Sequence, residues 1–467
     1  MRSSGILLQS GFRKILLLCL CFCLLLAGAL VALWKAASGT AEAKPATPDA
    51  IAAFRSSAPW VIRRIDSTGS VGQYASLGLD RTTGGLYIGY YDATNTNLKM
   101  ATNAASGVLG AACSPASDWV CRVLSSADHN AGTHVSVDTF PGGYGWAYRD
   151  TTLNQLIATW NTGGILNGGY FDNTGATTVG QYNSLAFNQQ NHPVVAYQNI
   201  FSGGSPKSAL QYAWWVGSGG DCSPAWKCFR VNPDFTTYNT GNYTSLGLNS
   251  NDYPRIAYQG HRGQLEIAEY TGLDSSIGCG SKYWECYVLD NSFYSGNNMS
   301  LYVKRCLSCS SPSMAVAYFD YGTNQLRYAR YVGSGGTGCS TSAWQCDNIG
   351  HVGDIPAYQM AVSLEAYGGS PVIAYRAVGP HGNSILKIAY PTTGIGNCGP
   401  APDLFQTWVC EVVDNGNRGL LYNQVGWHAS LEISGNGLAS IAYHNSSSME
   451  LLLAQQMLPV YLPTVRR

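Results

Sequence analysis

Charge is what this chain has least of. Only 12% of its 467 residues are Asp, Glu, Lys or Arg, about half the usual share for a soluble domain. The 27 basic residues are balanced by 27 acidic ones. Without a basic excess the chain cannot neutralise a run of phosphates, so nucleic acid is not an expected partner. The scarcity of Lys and Glu also removes the residues that surface helices favour. No Gly-rich phosphate loop joins a strand to a helix, which argues against nucleotide chemistry. No EF-hand-like spacing is present either, so no cofactor is expected, although structural calcium in Asp/Asn turns stays open. What the chain does contain is strand and turn material. It is 45% hydrophobic and 12% aromatic, with 30 Tyr, 12 Trp, 54 Gly and 19 Pro. That content excludes a disordered chain and favours β structure.

At the N-terminus Arg2, Arg13 and Lys14 precede an unbroken apolar run from Ile15 to Leu33. Residues 1–37 read as a signal peptide, with small-residue cleavage points such as Ala41-Glu42-Ala43, or as a retained membrane anchor. Residues 38–57 read as a linker. Either way the rest is expected outside the cell, secreted or membrane-anchored. Twelve cysteines follow the apolar run as six close pairs: Cys113/Cys121, Cys222/Cys228, Cys279/Cys286, Cys306/Cys309, Cys339/Cys346 and Cys398/Cys410. An even count at local spacing in an exported chain reads as disulfides. Zinc fits badly, because Cys306 and Cys309 have no second pair to meet.

Four signals recur along residues 58–455. A Ser-Leu-like pair stands at Ser76, Ser136, Ser184, Ser245, Ser300, Ser363 and Ser430. An apolar-small-Tyr triplet follows, ending at Tyr90, Tyr148, Tyr197, Tyr258, Tyr318, Tyr375 and Tyr443. A third segment has the form Leu-x-x-Ala, as in Leu98 to Ala101 and Leu386 to Ala389. The fourth carries Trp-x-Cys at Trp119, Trp226, Trp284, Trp344 and Trp408. Seven units of four short strands make a seven-bladed β-propeller, an all-β fold. The last unit lacks its fourth strand, and Trp60 to Asp66 has the pattern of Trp408 to Asp414. The N-terminal strand is therefore expected to complete the last blade and close the ring. Residues 456–467 are left as a C-terminal tail.

The candidate site is the mouth of the central channel. The loops leading into the innermost strands repeat Gly-x-aromatic, placing Tyr74, His134, Tyr182, Tyr243 and His428 there, with Asn298 in blade 5 and Tyr358 in blade 6. After the triplet Tyr come Asp92, Arg149, Asp150, Asp320 and Arg376. A recurring Tyr serves packing, and an Asp after a strand serves its own turn. Departures from the repeat carry more information: His134 and His428 replace Tyr, and Arg149 and Arg376 replace aromatics. Such a set suits sugar stacking and hydroxyl recognition, with the arginines available to a carboxylate on an acidic sugar.

The motif running from Ser76 to Ala101 resembles a repeat of exported bacterial propellers loosely called sialidase-like, and the resemblance covers residues 60–455. It implies the fold but no activity, since propellers host enzymes, lectins and scaffolds. The Ser-x-Asp-x-Gly-x-x-Trp box of sialidases is missing. The expected function is a secreted or cell-surface binding protein for a glycan or a surface protein. One alternative is a polysaccharide-cleaving enzyme, with His134 and Tyr148 as a lyase's base and acid or with paired carboxylates as a hydrolase. Another is a structural adhesion protein. The ending Leu458 to Arg467 is similar to a sorting tag of exported bacterial proteins, or is a plain terminus.

Overall fold

The computed structural model describes residues 58–457, apart from 105–109, 126–127, 173–174, 203–206, 235–239, 274–277, 280, 293, 306–313, 354–360 and 400–406. The signal or anchor segment, the linker, Cys306, Cys309, Tyr358 and the tail from residue 458 lie outside the described residues.

Seven antiparallel sheets are formed, six of four strands and one of five. The extra strand is the two-residue Ala111–Ala112 at the rim of blade 1. Among the described residues the helical content is one 3-10 turn, His261–Gly263. Chain order follows blade order, with one exception. The last sheet takes its fourth strand from the far end of the chain: Trp60–Asp66 pairs antiparallel with Glu450–Gln456, matching Ile62 to Ala454 and Arg63 to Leu453. The expected split blade is therefore present, and it hides an edge that would otherwise stay open.

The recurring Ser has a role that its spacing did not reveal. Each hydroxyl accepts the backbone N–H of the residue after the corresponding Ser in the next blade. Val137 donates to Ser76, Leu185 to Ser136, Leu246 to Ser184 and Leu301 to Ser245. Leu364 donates to Ser300, Leu431 to Ser363 and Leu77 to Ser430, so the chain of bonds closes on itself. All seven lie between 2.9 and 3.0 Å. The apolar partner of each pair points the other way, into the layers between blades, as the strand period of two requires.

The small residue of the triplet is a matter of space. A Cβ on Gly89 would lie 2.7 Å from Val137 of the next blade. Tyr90, Tyr197, Tyr258, Tyr318 and Tyr443 are fully buried, so each phenol needs a partner. Four of them donate to a carboxylate at the end of the preceding blade's outer strand: Tyr90 to Asp66, Tyr197 to Asp172, Tyr318 to Asp290 and Tyr443 to Asp414. Tyr258 uses Glu266 of its own blade. Beneath the outer strands Trp119, Trp226, Trp284 and Trp344 are likewise fully buried. Five disulfides tie the loop before an outer strand to that strand: Cys113–Cys121, Cys222–Cys228, Cys279–Cys286, Cys339–Cys346 and Cys398–Cys410. Blade 2 has neither the Trp-x-Cys pattern nor a disulfide in its outer strand, Ile165–Phe171.

Candidate functional site

In five blades the loop into the innermost strand is built around a glycine of positive φ: Gly72, Gly132, Gly180, Gly241 and Gly426. Gly72 has φ +94° and a Cβ there would lie 2.9 Å from the backbone of Leu451; at Gly132, φ +111°, it would lie 2.7 Å from Leu98. In both cases the obstacle is the third-strand Leu of the preceding blade. Two residues on, the strand bulges, and the aromatic itself takes a left-handed backbone. The φ values are 54° for Tyr74, 52° for His134, 48° for Tyr182, 53° for Tyr243, 51° for His428 and 43° for Asn298. A bulky residue in this region is a genuine outlier, held only because its surroundings determine it.

The bulges turn the rings inward to form a collar around the channel. Ring centroids lie 4.6 Å apart for Tyr243–Tyr182, 4.7 Å for Tyr182–His134, 4.8 Å for His134–Tyr74 and 4.9 Å for Tyr74–His428. Five blades thus supply a continuous arc, every member half-buried. The arc is open at blades 5 and 6, where Asn298 and Ala361 line the wall. In register, Ala361 is the residue two before Ser363, the place that Tyr74 holds before Ser76. A cavity of about 260 Å³ sits between the collar and the ring of serines.

Burial sets the protonation of the collar. The imidazoles of His134 and His428 are pushed down to about 3, chiefly by desolvation and further by nearby cationic groups, so both rings are neutral at ordinary pH. Burial raises the Tyr74, Tyr182 and Tyr243 phenols, which stay protonated as donors. Arg149 reaches the collar electrostatically while its Nε donates to the Val179 carbonyl at 3.0 Å. Arg376 is placed differently. It is 3% exposed, its guanidinium lies 3.9 Å from the Trp427 ring, and burial lowers it to about 9. The three carboxylates cap turns: Asp92 accepts from the backbone of Thr94 and Asn95, Asp150 from Leu153 and Asp320 from Gly322. Asp150 also meets His129 at 2.8 Å. Tyr148 packs with Tyr87, Leu98 and Trp146 in the apolar layer between blades 1 and 2.

One layer beyond the serines the channel turns acidic. Asp138, Glu365 and Glu432 stand two residues after their Ser, and Arg81 approaches Glu432 at 3.3 Å and Glu365 at 3.6 Å. Burial raises all three carboxyls, Asp138 to about 6. No group of three or more His, Cys, Asp or Glu placed to hold a metal occurs among the described residues.

A second concave feature escaped the reading of the repeats. Blades 3 and 4 enclose a cleft of about 410 Å³ walled by Tyr212, Trp214, Tyr253, Tyr270, Tyr283 and Trp284. Tyr253 and Tyr283 keep 40% and 39% of their surface exposed. Asn188 and Asp252 supply polar atoms at its rim. The signal in the sequence was the residue type: Tyr253 stands where blade 3 has His192, and Tyr283 where other blades place Ala225, Ala343 and Thr407.

No family model matches the chain, and no curated protein matches it. Solved structures with a similar arrangement include AofleA from Arthrobotrys oligospora, at 12% identity over 86% of each chain with a TM-score of 0.42. Another is the fucose-specific lectin from Aleuria aurantia, at 15% identity over 77% of this chain and 99% of that one, TM-score 0.42. A third is the Hadza microbial sialidase Hz136, at 10% identity over 83% of this chain and 66% of that one, TM-score 0.41.

Proposed function

We propose that this protein is a secreted or cell-surface carbohydrate-binding protein that seats a sugar on the aromatic collar at the channel mouth. The observation that carries this reading is the arc of five rings from five blades, each held in a left-handed backbone. Packing alone does not require strained aromatics at one mouth. Neutral imidazoles and protonated phenols stack on the apolar face of a pyranose and hydrogen-bond its hydroxyls without desolvating a charge. Asn298 and Arg149 add polar atoms at the rim. The low share of charged residues in the chain fits a neutral ligand.

The cleft between blades 3 and 4 supports a second seat for the same class of ligand, because exposed Tyr faces beside Asp252 and Asn188 repeat that chemistry. A catalytic reading draws less support: the three candidate carboxylates cap turns, and Tyr148 lies in an apolar layer away from the collar. Five disulfides favour maturation in an oxidising compartment. Among the described residues no helix is long and apolar enough to cross a membrane.

The test is a glycan array with the full-length protein, eluates being checked for shortened chains. Retention of intact glycan, lost in Tyr182→Ala, supports the collar; retention lost only in Tyr253→Ala moves the site to the cleft. Shortened chains would replace binding by cleavage, and silence on every sugar would sink the proposal.

A further inference from the structure

Three blade junctions share one buried arrangement. The outer strand of the preceding blade ends in Asp, and that Asp accepts from the triplet Tyr and from a cation. Asp66 accepts from the Tyr90 hydroxyl at 2.7 Å and the Lys99 ammonium at 2.5 Å. Asp290 accepts from Tyr318 at 2.6 Å and from Arg327. Asp414 accepts from Tyr443 at 2.6 Å and from Arg418 at 2.7 Å. In each case the Asp follows a strand irregularity and pairs with a Leu of the third strand: Leu451, Leu265 and Leu386 respectively.

The junction of blades 5 and 6 has every part except the carboxylate. Gly350 occupies the equivalent place, paired with Leu326 directly after the same irregularity. Tyr375 is the triplet Tyr of blade 6, and Lys387 stands in its third strand where Lys99 and Arg327 stand in theirs. Lys387 Nζ lies 5.8 Å from the centre of the Tyr375 ring. Among the described residues no carboxylate comes within ion-pair distance of Lys387, and the Tyr375 hydroxyl makes no hydrogen bond. Burial alone lowers the Lys387 ammonium and alone raises the Tyr375 phenol, with no carboxylate contributing to either. The groove widens here to a cavity of about 660 Å³, onto which Gly350, Tyr375 and Lys387 all open. Its other charged groups are Arg327, already paired with Asp290, and Asp347, which accepts from Gln345. His351 accepts from the Gly353 N–H through Nδ1 at 3.1 Å.

We propose that this groove binds a small organic carboxylate, whose carboxylate group takes the place that Asp66, Asp290 and Asp414 fill at the other junctions. The protein's own repeats define the ligand chemistry: one anionic oxygen for the Tyr375 hydroxyl and charge for Lys387. A Cβ added to Gly350 would meet only Cys398, at 3.9 Å, so a side chain can be placed there by mutation. The groove is separate from the collar, and what it binds does not depend on a sugar being seated there.

The experiment is saturation-transfer NMR and thermal shift of the full-length protein at pH 7 with acetate, glucuronate and, as uncharged control, glucose. Saturable binding of acetate is expected; tighter binding of glucuronate assigns the source to an acidic sugar, equal binding to simple carboxylates. Gly350→Asp is expected to weaken binding at least tenfold and to raise the melting temperature by completing the triad. Lys387→Gln is expected to weaken binding at least tenfold as well, and it decides the matter if Gly350→Asp does not fold. The proposal is overturned if the wild type shows no saturable carboxylate binding, if Lys387→Gln binds unchanged, or if Tyr182→Ala in the collar abolishes the signal.

Discussion

The Ser430 hydroxyl accepts the backbone N–H of Leu77 at 3.0 Å, joining the seventh innermost strand to the first. The same bond links every other neighbouring pair of blades, so the channel wall is a closed cycle of seven side-chain-to-backbone bonds. Replacing any one Ser by Ala leaves an N–H without its acceptor, a loss of about 1 kcal/mol. Urea unfolding of Ser430→Ala and Ser184→Ala should show the same decrease within error. A much larger loss at Ser430 would mean that the closing contact is special.

Removing residues 58–67 takes away the outer strand of the last blade. Ile65 is fully buried, as are Leu451 and Leu453 of the strand it covers. The truncated protein is expected to unfold at markedly lower urea or to self-associate through the exposed edge. Unchanged unfolding and a monomeric elution profile would show that closure does not hold the ring.

Each of the five disulfides closes a short loop, worth about 2–3 kcal/mol in the chain-entropy model. Reductant should therefore lower the melting temperature substantially while the β circular-dichroism signal persists below it. Blade 2, with no disulfide, supplies the internal comparison: amide exchange there should be insensitive to reductant.

Acid stability carries a signature of the collar. His134 and His428 titrate at about 3 when folded against 6.5 when unfolded. Between those values the unfolded chain binds more protons, so this contribution is full above pH 6.5 and is lost as pH falls towards 3. The raised carboxyls of Asp138, Glu365 and Glu432 act in the opposite sense, losing stability as pH rises through their folded values. Comparison with the double variant His134→Tyr/His428→Tyr isolates the first effect. The wild type should lose stability more steeply between pH 6 and 4 than the variant, and parallel curves would contradict the burial of the two imidazoles.

If the collar holds the sugar, Tyr182→Ala should weaken glycan binding by roughly tenfold to a hundredfold, the range of one lost stacking partner. Tyr253→Ala should then leave that affinity unchanged. Calorimetric titration of both variants measures the ratio, and reversed effects assign the ligand to the cleft of blades 3 and 4.

Much of the architecture was legible because each blade repeats the same solution in the same order. The likeness of Trp60–Asp66 to Trp408–Asp414 was enough to place the first strand in the last blade. The five described disulfides followed from spacing for the same reason. What could not be read were features that depend on two blades at once. Ser76 and Val137 are 61 positions apart, and nothing local says that one bonds the other. Arg376 had the look of a rim residue, yet it is buried with its guanidinium over the Trp427 ring. The aromatic cleft puts Tyr253 and Tyr283 at turn positions where other blades carry His192, Ala225 or Ala343, so the repeat pattern passes over it. Gly350 is the reverse case: the repeat is what makes its missing carboxylate visible.

The pairing of Trp60–Asp66 with Glu450–Gln456 also orders events in time. The strand emerging first from the ribosome must wait for the strand emerging almost last, while six blades assemble between them. Among the described strand pairings ring closure joins the segments farthest apart in sequence, and it therefore carries the largest loop-closure cost of them. A product that stops short of residue 450 keeps an unsealed seventh blade and an unpaired first strand. Such a product is marked as incomplete by its exposed edges, however well its first six blades are formed.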